Sequence, residues 1–82
     1  MKKFFVYVLR SDADGRQYVG SAQDLERRLA LHNAGLYRYT KALLPWRLVY
    51  SELCVTRTEA VRRERYFKTG VGRGDLKNLI SV

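Results

Sequence analysis

Residues 18–32 read YVGSAQDLERRLALH. An aromatic and a β-branched residue lead into a glycine, and leucines then recur at helical spacing, so a strand gives way to a helix with almost no linker. Ser21-Ala22-Gln23-Asp24 fits a capping box, with Ser21 as the expected N-cap and Asp24 as the reciprocal carboxylate. The helix is expected to end near Asn33-Ala34-Gly35, because glycine readily takes the left-handed exit conformation. With Leu25 at zero, Leu29 falls at roughly 40°, His32 at roughly 340° and Arg28 at roughly 300°, whereas Arg27 points to roughly 200°. Arg28 and the chain's only histidine therefore border the buried face together, as packed boundary residues or as a functional pair.

Upstream, Phe4 to Arg10 has the aromatic and β-branched content of a buried strand. Asp12-Ala13-Asp14-Gly15 is turn chemistry, and Gln17-Tyr18-Val19 returns as a second strand, which makes a β-hairpin. An even-numbered connection puts Tyr7 and Tyr18 on one face of it; packing alone would also account for either ring. Downstream, Leu36 to Leu44 is basic and aromatic without a period, and Pro45 opens a third strand, Trp46 to Val55. Thr56-Arg57-Thr58-Glu59 is a second capping box, starting a helix that runs to about Thr69 and exits at Gly70. A short helix, Asp75 to Ile80, closes the chain. The order ββαβαα predicts an α/β fold: one small domain over residues 1–82, with a three-stranded, mainly antiparallel sheet flanked by helices.

The 82 residues suffice for one core and exclude a second domain, and 46% apolar with 12% aromatic residues is the composition of a folded chain. Sixteen Lys and Arg against eight Asp and Glu leave a net charge of +8. A polyanionic partner is expected, nucleic acid first, because neutralised phosphates release condensed counterions. The arginines do not oppose a Trp/Phe/Leu stripe, and no apolar run is long enough to span a bilayer, so no membrane is expected. With one cysteine and no leader before the first strand, a cytoplasmic location is expected.

The second helix carries an anomaly. With Ala60 at zero, Phe67 lies at roughly 340°, Val71 at roughly 20° and Glu64 at roughly 40°, so a carboxylate projects from the apolar stripe. Burying it costs several kcal/mol unless it is paired or coordinates a cation. The alternatives are an ion pair with Arg63 or Arg28, and a metal site. Arg62 and Arg65 point outward, toward phosphates or water. Two tyrosines, an arginine and histidine on one helix, and a carboxylate on another suit phosphoryl transfer. One carboxylate anchors a Mg²⁺ that keeps most of its waters, and arginine offers a planar fork of donors to phosphate. A tyrosine acting as base has a pKa about three units too high, roughly 4 kcal/mol, a gap that nearby cations must close. Gly72-Arg73-Gly74 lacks the third glycine and preceding strand of a phosphate loop, and zinc is not indicated.

Phe5-Val6-Tyr7, then Tyr18-Val19-Gly20, then Arg28, His32 and Glu64 resembles the GIY-YIG nuclease superfamily over nearly the whole chain, most of all its small stand-alone bacterial members, through "YVGSAQDLERRLALHN" and "EAVRRERYFK". The family's glycine and isoleucine are Phe5 and Val6 here, and Asn78 is the candidate for an asparagine found in some relatives. The resemblance implies a metal-dependent DNA endonuclease using Mg²⁺ or Mn²⁺. Tyr7, paired with Tyr18, would activate or orient water, Arg28 would stabilise the phosphate and His32 would help move the proton. Glu64 would hold the metal, and Gly20 would allow close backbone approach. Relatives that act in recombination, excision repair and mobile introns choose substrates with appended domains. None lies within these 82 residues, so a preference for DNA structure over sequence is expected. Arg38, Tyr39 and Lys41, with Arg62 and Arg65, are the expected contacts to a single strand or branched DNA. The alternative from another class is a weakly active nucleic-acid-binding module working with a protein partner.

Overall fold

The computed structural model describes residues 3–80, so the two residues at each end of the expected 1–82 domain lie outside the described residues. Strand β1 (Phe4–Ser11) forms an antiparallel hairpin with β2 (Gln17–Ala22), helix α1 (Leu25–Asn33) follows, and β3 (Trp46–Cys54) pairs antiparallel with the other side of β1. Helices α2 (Arg57–Phe67) and α3 (Gly70–Ile80) complete the order. The sheet order is β2-β1-β3, so β1 is central and β2 is an edge. This is the expected three-stranded antiparallel sheet flanked by helices.

Central position explains why β1 is apolar on both faces. Val6 and Val8 pack with Ala60, Phe67 and Leu76 of α2 and α3, while Tyr7 and Leu9 pack with Trp46 under α1. Each fully buried valine or leucine contributes about 1.5–3 kcal/mol, which fixes the strand's register against both layers. The face of α1 that holds Leu25 and Leu29 meets the sheet as its periodicity predicts, with His32 buried and Arg27 exposed. Gly35 takes the positive φ (+76°) expected at the end of α1. The Asn33 side chain accepts from Trp46 N at 2.7 Å and donates to Trp46 O at 3.0 Å, tying the end of α1 to the start of β3.

Two local readings are corrected. Asp24, not Ser21, caps α1, accepting from Arg27 N at 3.0 Å. Ser21 stays in β2 because pairing with Val6 continues through that position. The second capping residue, Thr56, is as expected, accepting from Glu59 N. Gly70 does not end a long helix ahead of a loop: α2 stops at Phe67, and α3 already begins at Gly70, with the Thr69 hydroxyl accepting from Gly72 N at 3.0 Å. Of the three glycines here, Gly72 is the one that packing requires. A Cβ on Gly72 would stand 1.7 Å from the Tyr66 carbonyl oxygen, so only glycine lets α3 turn off so closely against α2. Val71 consequently leaves the apolar stripe and is exposed. No helix among the described residues is long and apolar enough to cross a membrane.

Candidate active site

Register brings the hairpin tyrosines together. Tyr7 stands opposite Gly20 and Leu9 opposite Tyr18, and opposed residues of an antiparallel pair share a face. Tyr7 and Tyr18 therefore lie on the α1 side, their ring centroids 6.3 Å apart. A Cβ on Gly20 would meet Tyr7 Oη at 2.5 Å and Cζ at 2.7 Å, so the Tyr7 ring occupies the space a side chain at position 20 would fill.

The loop between α1 and β3 closes over these rings and supplies a residue the sequence did not flag. Tyr7 Oη lies 3.1 Å from His32 Nε2, and His32 Nδ1 lies 2.9 Å from Thr40 Oγ1. Tyr7, His32 and Thr40 are 2%, 1% and 0% exposed, so the three form one buried polar line. Thr40 is held in place by its backbone: its carbonyl accepts from Trp46 Nε1 at 2.7 Å, while Ser11 Oγ donates to the neighbouring Leu43 carbonyl at 2.6 Å. The Tyr37 ring sits 4.4 Å from the His32 ring, and the Arg28 guanidinium lies 5.8 Å from the Tyr37 centroid.

Burial is the dominant electrostatic influence here. It raises the Tyr7 phenol well above its ordinary value, Tyr18 adds to the rise, and the charge of Arg28 opposes it without reversing it. The expectation that neighbouring cations bring the phenol down is thus not met by the chain's own residues. His32 moves the other way. Burial first, and the positive charge of Arg28 second, hold its imidazole below the ordinary value, favouring the neutral ring.

Glu64 reaches β2 from the opposite face. Its Oε1 accepts from Ser21 Oγ at 2.9 Å, and its Oε2 from Lys68 Nζ at 2.8 Å. Neither anticipated ion-pair partner holds it: Arg63 is engaged by Glu52 through two bonds of 2.8 and 3.1 Å. The carboxylate is turned toward the sheet, yet among the described residues no hydrogen bond joins it to the tyrosines or Arg28. Ser21 follows Gly20, so carboxylate and phenol approach consecutive residues of one edge strand from its two sides. A groove of about 360 Å³, lined by Ser21, Arg27, Arg28 and Arg57 among others, runs along this end of the strand.

No group of three or more His, Cys, Asp or Glu side chains able to hold a metal occurs among the described residues. One carboxylate beside a hydroxyl is nonetheless the donor chemistry of a hard cation that keeps its waters and takes further ligands from phosphate. Such a cation would have to displace the Lys68 ammonium from Oε2. Of the other expected contacts, Arg38, Lys41, Arg62 and Arg65 are exposed, as is Asn78 on α3. Tyr39, 67% exposed, has its ring 6.0 Å from Tyr18. Ser21 and Thr40 were missed: the capping reading had consumed the first, and the second lies in an aperiodic loop.

Known proteins resemble the chain over most of its length. The family model described as the GIY-YIG catalytic domain matches residues 3–77. A UPF0213 protein of Staphylococcus saprophyticus is 41% identical over 70 residues, 84% of each chain. One of Streptococcus pneumoniae is 42% identical over 67 residues, 80% of this chain and 67% of that one. The solution NMR structure of a UPF0213 protein from Bacillus halodurans superposes with a TM-score of 0.57 at 31% identity, covering 94% of this chain and 84% of that one. With the match spanning both tyrosines, Arg28, His32 and Glu64, this chain belongs to the GIY-YIG catalytic domain family.

Proposed function

We propose that this chain is a divalent-metal-dependent endonuclease that hydrolyses DNA phosphodiesters, choosing substrates by structure rather than by sequence. The observation that carries this reading is the buried Tyr7–His32 contact of 3.1 Å at the edge strand that Glu64 reaches from the other side. A purely structural basic domain accounts for the charge but not for this placement.

Protonation assigns the roles. In the tautomer with the proton on Nδ1, Thr40 Oγ1, which faces the Tyr37 carbonyl at 3.5 Å, accepts from His32, and Nε2 is free to accept. The phenol then donates to Nε2 while its oxygen accepts from water. As the water oxygen bonds to phosphorus and the phosphorus–ester oxygen bond breaks, one proton passes from water to Tyr7, the Tyr7 proton passes to His32, and the departing alkoxide takes a proton from solvent, to which His32 later returns its own. This route needs no free phenolate, which fits a phenol whose pKa burial raises. Arg28, through its fork of donors, would meet the charge growing on the phosphate. Mg²⁺ or Mn²⁺ held by Glu64 and phosphate oxygens would supply charge neutralisation there. A cytoplasmic location, with access to DNA during its repair, belongs to the same reading.

One observation favours a second reading. Lys68 already neutralises Glu64, as a nucleic-acid-binding module acting with a protein partner would leave it. Incubating the chain with single-stranded, duplex and branched DNA, with Mg²⁺ or Mn²⁺ and then with chelator, decides between them. Cleavage that chelator stops, and that Glu64→Ala and Arg28→Ala both lose, is expected. Binding without cleavage under every condition favours the module.

A further inference from the structure

A second and larger groove, of about 780 Å³, opens along the other half of the β2 edge, walled by Arg10, Tyr18, Tyr39, Lys68, Arg73 and Lys77 among others. Four of the six are cationic, and no acidic side chain among the described residues lines the groove. Lys68 is held by Glu64, but Arg10 and Arg73 make no ion pair among the described residues. Arg10 and Arg73, brought together without ion-pair partners among the described residues, raise the self-repulsion of the folded chain, and a polyanion seated between them relieves it.

The aromatic wall says which polyanion. Tyr39 is 67% exposed although its ring is only 6.0 Å from Tyr18, so the fold gains little by burying it. Bases in a duplex stack on one another and show a protein their edges, whereas an unpaired base offers a face on which an aromatic ring stacks. The groove also has a fixed relation to the candidate active site. At one end Tyr18 packs on Tyr7 and Lys68 holds Glu64; beyond Gly20, at Ser21, the smaller arginine-lined groove begins. A strand lying along the edge would thus be gripped on both sides of Gly20, whose backbone the Tyr7 ring covers.

We propose that the larger groove is the path of an unpaired nucleic-acid strand next to the phosphate that is cut, with a base stacked on Tyr39 and phosphates held by Arg10 and Arg73. This rests on the hydrolytic reading and deepens it, because it names the substrate form and the residues that select it. Arg10 and Arg73 were not legible as contacts in the sequence, since one lies in a strand and the other between two glycines.

The test separates binding from cutting. Anisotropy of a labelled oligonucleotide, single-stranded or duplex, is measured in chelator for wild type, Tyr39→Ala, Arg73→Ala and Arg47→Ala. Arg47 sits on the far edge strand, paired with Asp12 at 2.8 Å, and serves as the charge-matched control. Tyr39→Ala is expected to weaken single-strand binding by about tenfold or more. Arg73→Ala is expected to weaken it and to reduce the slope of log K against log salt by about 0.7, while Arg47→Ala changes neither. Equal melting temperatures establish that the exposed substitutions leave the fold intact. The proposal is overturned if both groove variants bind like wild type, if duplex binds as tightly with the same dependence, or if neither nucleic acid binds. Groove-dependent binding with no cleavage under any condition would sink hydrolysis and keep the groove. Cleavage indifferent to the groove variants would do the reverse.

Discussion

Tyr7 Oη and His32 Nε2 lie 3.1 Å apart, joined where neither side chain has appreciable contact with solvent. Tyr7→Phe removes the phenol and little else. Cleavage is expected to fall by about 10²–10⁴-fold, the usual worth of a positioned proton-transfer group. Unfolding free energy should fall by only about 1–2 kcal/mol, the cost of leaving the imidazole nitrogen without its partner. Single-turnover cleavage and a denaturant melt measure the two effects; full activity in the variant would remove Tyr7 from the chemistry.

Because His32 is the chain's only histidine, its titration can be followed as one ring resonance by NMR. The folded value is expected below the ordinary 6.5, since burial and then Arg28 both depress it. In Arg28→Gln it should rise without fully returning, because burial is the larger cause. The sign for stability follows. Between the depressed folded value and 6.5 the unfolded chain binds more protons than the folded one, so stability falls as pH drops through that window and is regained above 6.5. The acid limb of the cleavage profile should likewise lie below 6.5. A folded value above 6.5 contradicts the assigned neutral ring.

Glu64→Gln keeps the shape and the Ser21 contact but loses the charge. Its pair with Lys68 is a partly exposed i, i+4 bridge, a class worth roughly 0.3–0.5 kcal/mol, so the melting temperature should hardly move while metal-dependent cleavage disappears. Lys68→Met should lower the Mn²⁺ concentration needed for half-maximal cleavage at saturating DNA, since the ammonium no longer competes for Oε2. An unchanged or higher midpoint would mean that the lysine does not stand in for the cation.

Two glycines distinguish function from fold. Gly20→Ala places a methyl against the Tyr7 hydroxyl end, 2.5 Å from Oη, where the ring must shift; a loss of about 1–3 kcal/mol with collapse of cleavage is expected. Gly72→Ala meets backbone, 1.7 Å from the Tyr66 carbonyl oxygen, which cannot yield without moving α3 off α2. It should destabilise more than Gly20→Ala, as thermal melts of the pair would show. Equal stability losses would contradict this difference.

The sequence by itself determined the two periodicities on which the fold rests. Aromatic and β-branched content with turn chemistry gave the hairpin, while the parity that puts Tyr7 and Tyr18 on one face was decided by the register of β1 against β2. The 3.6-residue period of α1 put His32 inward and Arg27 outward. These are local consequences of backbone geometry, so they can be computed from spacing alone. Side-chain partnership is not local. Ser21 had two chemically sound uses, capping α1 or bonding Glu64, and only continued pairing with Val6 decided for the second. Glu64 had two plausible arginine partners in sequence and took Lys68, because Glu52 had already claimed Arg63. Thr40 gave no signal within its aperiodic loop until Trp46 and Leu43 pinned that loop over His32. Glycines 70 to 74 read as a break, since helix propensity penalises glycine, while the close approach of α3 to Tyr66 requires one. Tertiary structure decided each of these because a buried polar group or a tight backbone crossing is settled by what arrives from elsewhere in the chain, which no local spacing encodes.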